Sequence, residues 1–404
     1  MSILRELKIP AGWPQVRLDG LFQRSYEANA SDLQPLSVFT DYGVVPRASR
    51  DHSYKALGAD LEKNLRVRPG DLVFNKLRTW QGAIGISAYD GIVSPAYFVL
   101  RARGPLDVRF YHHLLRSSAW VQELKRVSKY MPPNQNDISW DDLRQILVPV
   151  PPLSTQIAIA HYLDAETARF DTLIDKRQRM TDLLDERASS MTTDLIWSGT
   201  SWTSVRLKHV AGVPTSGNRD HSNFTFDEEG VKCLRGLNVK PNRLELDGVM
   251  RISAADHHSL SETALYEGDI VIVRSGLAGS AVAIPSGIGP CNCVDLVVVR
   301  RCANLDPMYL QFVINSAKIQ EHVRARRAGA ILNHFNAVDA GDIEVPLRPL
   351  EDQIRIGSQV ASVMEKTQLI IGTLESQVRL LVERRQALIT AAVTGQLEIP
   401  EVAV

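Results

Sequence analysis

Ile146-Leu147-Val148-Pro149, followed by Leu153 and Gln156-Ile157, returns later in the chain as Ile343-Glu344-Val345-Pro346, followed by Leu350 and Gln353-Ile354. Each copy is a proline stop that opens a long heptad-patterned stretch. The first seam runs Ile159, Leu163, Glu166, Phe170, Leu173, Arg177, Met180, Leu184. The second runs Ile356, Val360, Val363, Thr367, Ile370, Leu374, Gln377, Leu381, Arg384, Leu388. Steps of four and three alternate in both, the pattern of helices that pair as a coiled coil. The two seams coincide after a shift of 197 positions. Ser154-Thr155 and Glu351-Asp352 offer N-caps, and Gly199 and Gly395 stand where the helices should stop. Each helix then spans about 43 residues, or roughly 64 Å. The plainer alternative is two amphipathic helices, each packed on its own domain.

Outward from these helices the duplication continues. Trp13-Pro14-Gln15-Val16-Arg17-Leu18 recurs as Trp202-Thr203-Ser204-Val205-Arg206-Leu207, and Pro69-Gly70-Asp71-Leu72-Val73 as Glu267-Gly268-Asp269-Ile270-Val271. Short β-like runs (71–74, 96–100, 295–299) precede helical stretches over 110–125 and 307–324. The fold class is therefore α/β, mixed α+β: two similar globular domains, 1–153 and 200–349, alternating with two long helices, 154–199 and 350–404. If the helices pair antiparallel, a pseudo-two-fold axis relates the domains. In one register, partner numbers sum to about 554. It sets Leu173 against Leu381, Met180 against Leu374 and Leu184 against Ile370. Arg177 against Gln377 would then be a buried polar layer. A one-heptad slip would instead set Arg177 against Ile370.

Composition narrows the function. Lys/Arg and Asp/Glu each number 46, so net charge is zero. The charge is unevenly spread: residues 1–153 hold 20 basic against 15 acidic groups, and residues 154–199 hold 5 against 8. A basic groove is compatible with a neutral molecule. No apolar run reaches membrane-spanning length and Met1–Glu6 has no signal-peptide core, so a cytoplasmic location is expected. Cys233, Cys291, Cys293 and Cys302 read as reduced, mostly buried thiols, and no metal site is expected.

The order domain, helix, domain, helix resembles the specificity subunits of Type I restriction–modification systems, over essentially the whole chain. Asn75-Lys76-Leu77-Arg78-Thr79-Trp80-Gln81-Gly82, Gly91-Ile92-Val93-Ser94-Pro95-Ala96-Tyr97 and the paired Val-Pro segments carry the resemblance. So does the closing Glu383-Arg384-Arg385-Gln386-Ala387-Leu388-Ile389-Thr390-Ala391-Ala392-Val393-Thr394-Gly395-Gln396, which is the most specific of them. The first copy departs there, with Ser198-Gly199-Thr200-Ser201. The resemblance implies two target recognition domains, each reading one half of an interrupted DNA site. It implies helices that set the gap and dock two modification (methyltransferase) subunits, with restriction subunits joining. S-adenosylmethionine and ATP would be bound by those partners, and this chain itself would hold no cofactor and no catalytic residue.

Enzyme signatures are missing. There is no Asn-Pro-Pro-Tyr motif; Ser94-Pro95-Ala96-Tyr97 and Met131-Pro132-Pro133-Asn134 are only superficially similar. Gly276-Leu277-Ala278-Gly279 lacks the lysine of a phosphate loop. Glu123-Leu124-Lys125 reads as a solvated ion pair and not as half of a nuclease metal site. Base edges and phosphates are read by Arg, Lys, Asn and Gln. Such residues cluster as Arg47, Lys76, Arg78, Trp80, Lys129, Tyr130, Asn134, Gln135 and Asn136 in the first domain. The second offers Arg274, Ser275, Arg324, Arg326, Arg327, Asn333 and His334. Residues 128–136 read as a polar loop, and Trp80 suits packing better than base wedging.

Overall fold

The computed structural model describes residues 7–28, 32–40, 43–49, 63–131, 135–199, 202–216, 224–328 and 334–399. The chain forms two compact units. One comprises residues 1–177 and 376–404, the other 178–375.

In the first unit the apolar runs become a four-stranded antiparallel sheet, in the order Phe22–Ser25, Tyr97–Ala102, Leu72–Asn75, Ile84–Ile86. Gln15–Arg17 pairs with Leu147–Pro149, so the Trp13 motif is joined to the first proline stop. The second unit repeats this. Its sheet runs Thr215–Ser216, Leu296–Val299, Ile270–Val273, Ala281–Ala283, and Thr203–Arg206 pairs with Glu344–Leu347. It adds a three-stranded sheet in which Phe226–Leu234 lies between Met250–Ile252 and Cys291–Cys293.

The helical stretches differ from expectation: each is two helices. Val108–Arg116 is followed by Ser118–Val127, and Pro307–Asn315 by Ala317–Ala328. Ser117 and Ser316 make the break. Both adopt extended backbone (ψ 153° and 148°), and each hydroxyl donates to the carbonyl three residues back, Leu114 or Val313, at 2.6 Å. A serine that satisfies the last turn from its side chain removes the need for a further turn.

The repeated glutamines explain the repeated motif. Gln156 accepts from the Asp107 amide at 3.0 Å and donates to Pro151 O at 2.8 Å. Gln353 accepts from the Asp306 amide and donates to Asn304 O and Arg348 O, all at 2.9 Å. Both side chains are buried, and each ties the start of a long helix to the capped start of the preceding helical pair.

The long helices span Leu153–Trp197 and Leu350–Val393. Each begins at the leucine directly after the proline and ends two residues before its glycine. Gly199 and Gly395 adopt φ of +80° and +71°, the left-handed stop of a helix C-terminus. The Ser198-Gly199 variation thus leaves the end of the first helix unchanged. Within the first unit the helices run antiparallel. Ile159, Ala160 and Leu163 share a core with Ile389, Ala392 and Val393, and Asp171 meets Arg385 at 3.4 Å. Arg177 meets Gln377, the contact of the first of the two registers. That layer is not buried, however: Arg177 is half-buried and Gln377 exposed. Within the second unit, Ile196 packs with Ile356 and Val360, and Arg348 caps the carbonyls of Ile196 and Ser198 at 2.9 and 2.7 Å.

The expected seam is only partly covered. Leu173, Met180 and Ile370 remain 41, 46 and 45% exposed, while Ile371 is buried. The step from Val360 to Ile371 is that of an eleven-residue repeat, closer to the natural 3.6-residue period than the heptad is.

Candidate nucleic-acid interface

The first-domain candidates gather at one end of the sheet. Asn75 pairs with Tyr97 at the last rung, and the Lys76 amide donates to Ala96 O at 3.2 Å. Arg47 and Arg78 both lie within electrostatic reach of Tyr97, whose hydroxyl pKa is pushed up by burial against their opposing effect. Arg78 is exposed; Arg47 and Lys76 are half-buried. Trp80 is also half-buried, donates to Leu77 O at 3.1 Å and lies 5.9 Å below the Lys125 ammonium, a packing role.

The segment expected to be a loop is a β-hairpin. Lys129–Met131 pairs with Gln135–Asp137, in the register Lys129 to Asp137, Tyr130 to Asn136 and Met131 to Gln135. Cross-strand bonds order the polar residues that a loop would leave free. Lys129 and Tyr130 are exposed and Asn136 is half-buried. Gln135 lies in the returning strand, and Asn134 falls outside the described residues. Two contacts fix the hairpin to the sheet end: Lys76 Nζ to Asp137 at 3.6 Å, and the Ile138 amide to Lys76 O at 3.4 Å.

The second domain reproduces the anchor. The Phe335 amide donates to Arg274 O at 3.0 Å, as Ile138 does to Lys76. Here the cation is buried. Arg274 Nη1 meets Asp295 at 2.7 Å and its Nε donates to Phe335 O at 3.3 Å. Its guanidinium is thus engaged in holding the segment that carries His334. Ser275 and His334 meet at 2.7 Å on the surface. Arg324 is exposed on the helix Ala317–Ala328, which also carries Arg326 and Arg327; Asn333 falls outside the described residues.

Sequence reasoning missed the acids. Asp137 and Asp295 hold the two anchoring cations, yet nothing in their local sequence marks them. It also misread Glu123, which is buried and doubly bonded to Arg126 at 2.6 and 3.1 Å instead of solvated beside Lys125. The cysteines lie as read, as free thiols of which Cys233, Cys291 and Cys293 are buried; burial pushes Cys233 up to about 12 and Cys291 to about 11, and raises Cys293 as well. Among the described residues no cluster of three or more His, Cys, Asp or Glu could hold a metal ion. No helix among them is long and apolar enough to cross a membrane.

A chain from a structure of the type I R-M system, solved to address complex assembly and conformational transition, superposes with a TM-score of 0.74. The match has 18% identity and covers 96% of this chain and 100% of that one. The crystal structure of the HsdS subunit from Thermoanaerobacter tengcongensis superposes with a TM-score of 0.52 at 17% identity, covering 97% and 99%. The chain has the fold of a type I specificity subunit. In sequence it is 21% identical over 334 residues to the type I restriction enzyme MjaX specificity subunit assigned in Methanocaldococcus jannaschii. That match covers 74% of this chain and 72% of the relative. No family model matches. The specificity-subunit fold accounts for the repeated domain-and-helix order read from the sequence.

Proposed function

We propose that the chain is the DNA-reading subunit of a Type I restriction–modification complex. Each globular domain reads one half of an interrupted site. The long helices set the gap and dock two methyltransferase subunits, with restriction subunits completing the assembly. The chain performs no chemistry: S-adenosylmethionine and ATP belong to its partners, and the complex acts on DNA in the cytoplasm. The observation that carries this reading is the repeated anchor. The Ile138-to-Lys76 and Phe335-to-Arg274 backbone bonds recur at the same end of two similar sheets, beside polar candidates: the Lys129–Asp137 hairpin in the first and His334 in the second. Two like readers on one chain suit two half-sites. A spacer protein would need neither.

The deciding experiment is methylome sequencing of the host with and without the gene. Loss of one interrupted methylated motif on deletion supports the function. Methyl transfer to DNA by the rigorously purified chain alone refutes it.

A further inference from the structure

Arg24 lies in the strand Phe22–Ser25, on the edge of the first unit's sheet and opposite Leu100. Its guanidinium carbon stands 4.5 Å from the Tyr26 ring centroid, 4.6 Å from that of Phe98 and 5.7 Å from that of Trp140. Three rings therefore hold the cation, and among the described residues no acid does. Among the described residues the Arg24 side chain has no ion pair or hydrogen bond, and its Nε is buried without an acceptor. The acid nearest in sequence, Glu27, is already taken by Arg66, Arg68 and Arg101 at 3.2, 2.9 and 2.9 Å.

This is unlike the ion-paired arginines inside the second unit. Arg274 is buried against Asp295, and Arg300 pairs with Asp269 at 2.6 Å. Arg24 instead is half-buried, with Tyr26 beside it 64% exposed. Ring stacking fixes a guanidinium in place while leaving its outer N–H groups unused, and a guanidinium is weakly hydrated, so an incoming anion displaces little water. Its rigid fork matches two oxygens of a phosphate. Trp140 opens the helix Trp140–Leu143, three residues beyond the end of the Lys129–Asp137 hairpin. The cage thus shares a wall with the chain leaving the segment proposed to read bases.

We infer that Arg24, held by Tyr26, Phe98 and Trp140, contacts a backbone phosphate of duplex DNA and positions the first domain on its half-site. The inference rests on the DNA-reading function proposed above. In the second unit, Thr215 pairs with Val298 as Ser25 pairs with Val99, so Pro214 occupies the place of Arg24. The contact belongs to one domain only.

The test uses the full chain co-purified with its methyltransferase subunits, and a duplex carrying the motif found in the host methylome. Arg24→Ala is expected to weaken binding about tenfold at fixed salt. The slope of log affinity against log salt should become shallower by about 0.9, the share of one phosphate. Preference among half-site sequences should stay unchanged, as for any phosphate contact. Arg24→Gln keeps a planar group between the rings and should show the same loss, which separates lost charge from lost packing. Wild-type affinity and salt slope in Arg24→Gln overturn the assignment. So does a changed base preference, which would make Arg24 a base reader. A wild-type complex that binds no duplex overturns the DNA-reading function itself.

Discussion

Arg177 Nε donates to Gln377 Oε1 at 2.8 Å, joining two helices through residues 200 positions apart. The pair sits in the heptad register read from the sequence but reaches solvent. Both groups can rehydrate when the bond is lost, so the pair marks the register without a large energy. Arg177→Ala should cost about 0.2–1 kcal/mol in urea unfolding. A loss above about 2 kcal/mol would show that the layer is shielded from water.

The buried glutamines should behave oppositely. Gln156→Leu leaves the Asp107 amide and Pro151 carbonyl unpaired inside the first unit; Gln353→Leu leaves one amide and two carbonyls unpaired inside the second. Each unsatisfied buried group costs about 1–3 kcal/mol. Gln353→Leu should therefore be the more destabilising in thermal melts. Amide exchange should accelerate at Asp306 in that variant and at Asp107 in the other. Equal and negligible losses would remove the glutamines from the account of the joint.

Half-site reading should divide by domain. Alanine at Lys129, Asn134 and Gln135 should relax or abolish one half of the methylated motif. Alanine at Arg324, Arg326 and Arg327 should affect only the other half. Each lost bidentate base contact is worth about 1–3 kcal/mol of discrimination. Both halves changing together in either variant would contradict modular reading.

A pH dependence follows from His112. Arg116 Nη1 lies 3.3 Å from its Nε2, and Nδ1 is enclosed without a partner. Enclosure, with the charges of Arg116, His113 and Arg385 around it, holds the imidazole pKa well below its ordinary value. The unfolded chain protonates near pH 6.5 while the folded chain resists. Its contribution to stability is therefore complete above pH 6.5 and is lost as pH falls below it, by up to about 1.4 kcal/mol per unit. A second histidine, His113, stands beside it and bonds Asp164 at 2.8 Å, so the comparison is with a variant of His112 alone. His112→Leu should flatten the melting temperature between pH 6.5 and 5; an unchanged slope assigns the dependence elsewhere.

Lengthening both long helices by one heptad tests whether they set the gap. Seven residues add roughly 10 Å, or at most about three base pairs. The half-site sequences should stay the same while the preferred gap grows. The added twist of roughly 100° can lower activity. Binding against duplexes of graded gap reads this directly, and an unchanged preference in a folded, active double insertion would show that the helices do not set the spacing.

The sequence by itself determined the repeat and the two long helices with their glycine stops, because periodic apolar positions and left-handed glycine are local signals that survive in one dimension; it left two helix registers open, and the Arg177–Gln377 contact belongs to the first of them. It also marked which polar residues cluster before each proline stop. Only the tertiary structure decided where the described ones among them sit and what they touch. The Ser117 and Ser316 breaks depend on a hydroxyl turned back on its own helix. The hairpin needs cross-strand pairing between polar residues with no alternating pattern. Asp137 and Asp295 anchor Lys76 and Arg274 across 61 and 21 positions respectively. Arg24 acquires its cage from rings that stand as far off as Phe98 and Trp140. Partners so distant in sequence are brought together only when the sheet and the helices close the core between them.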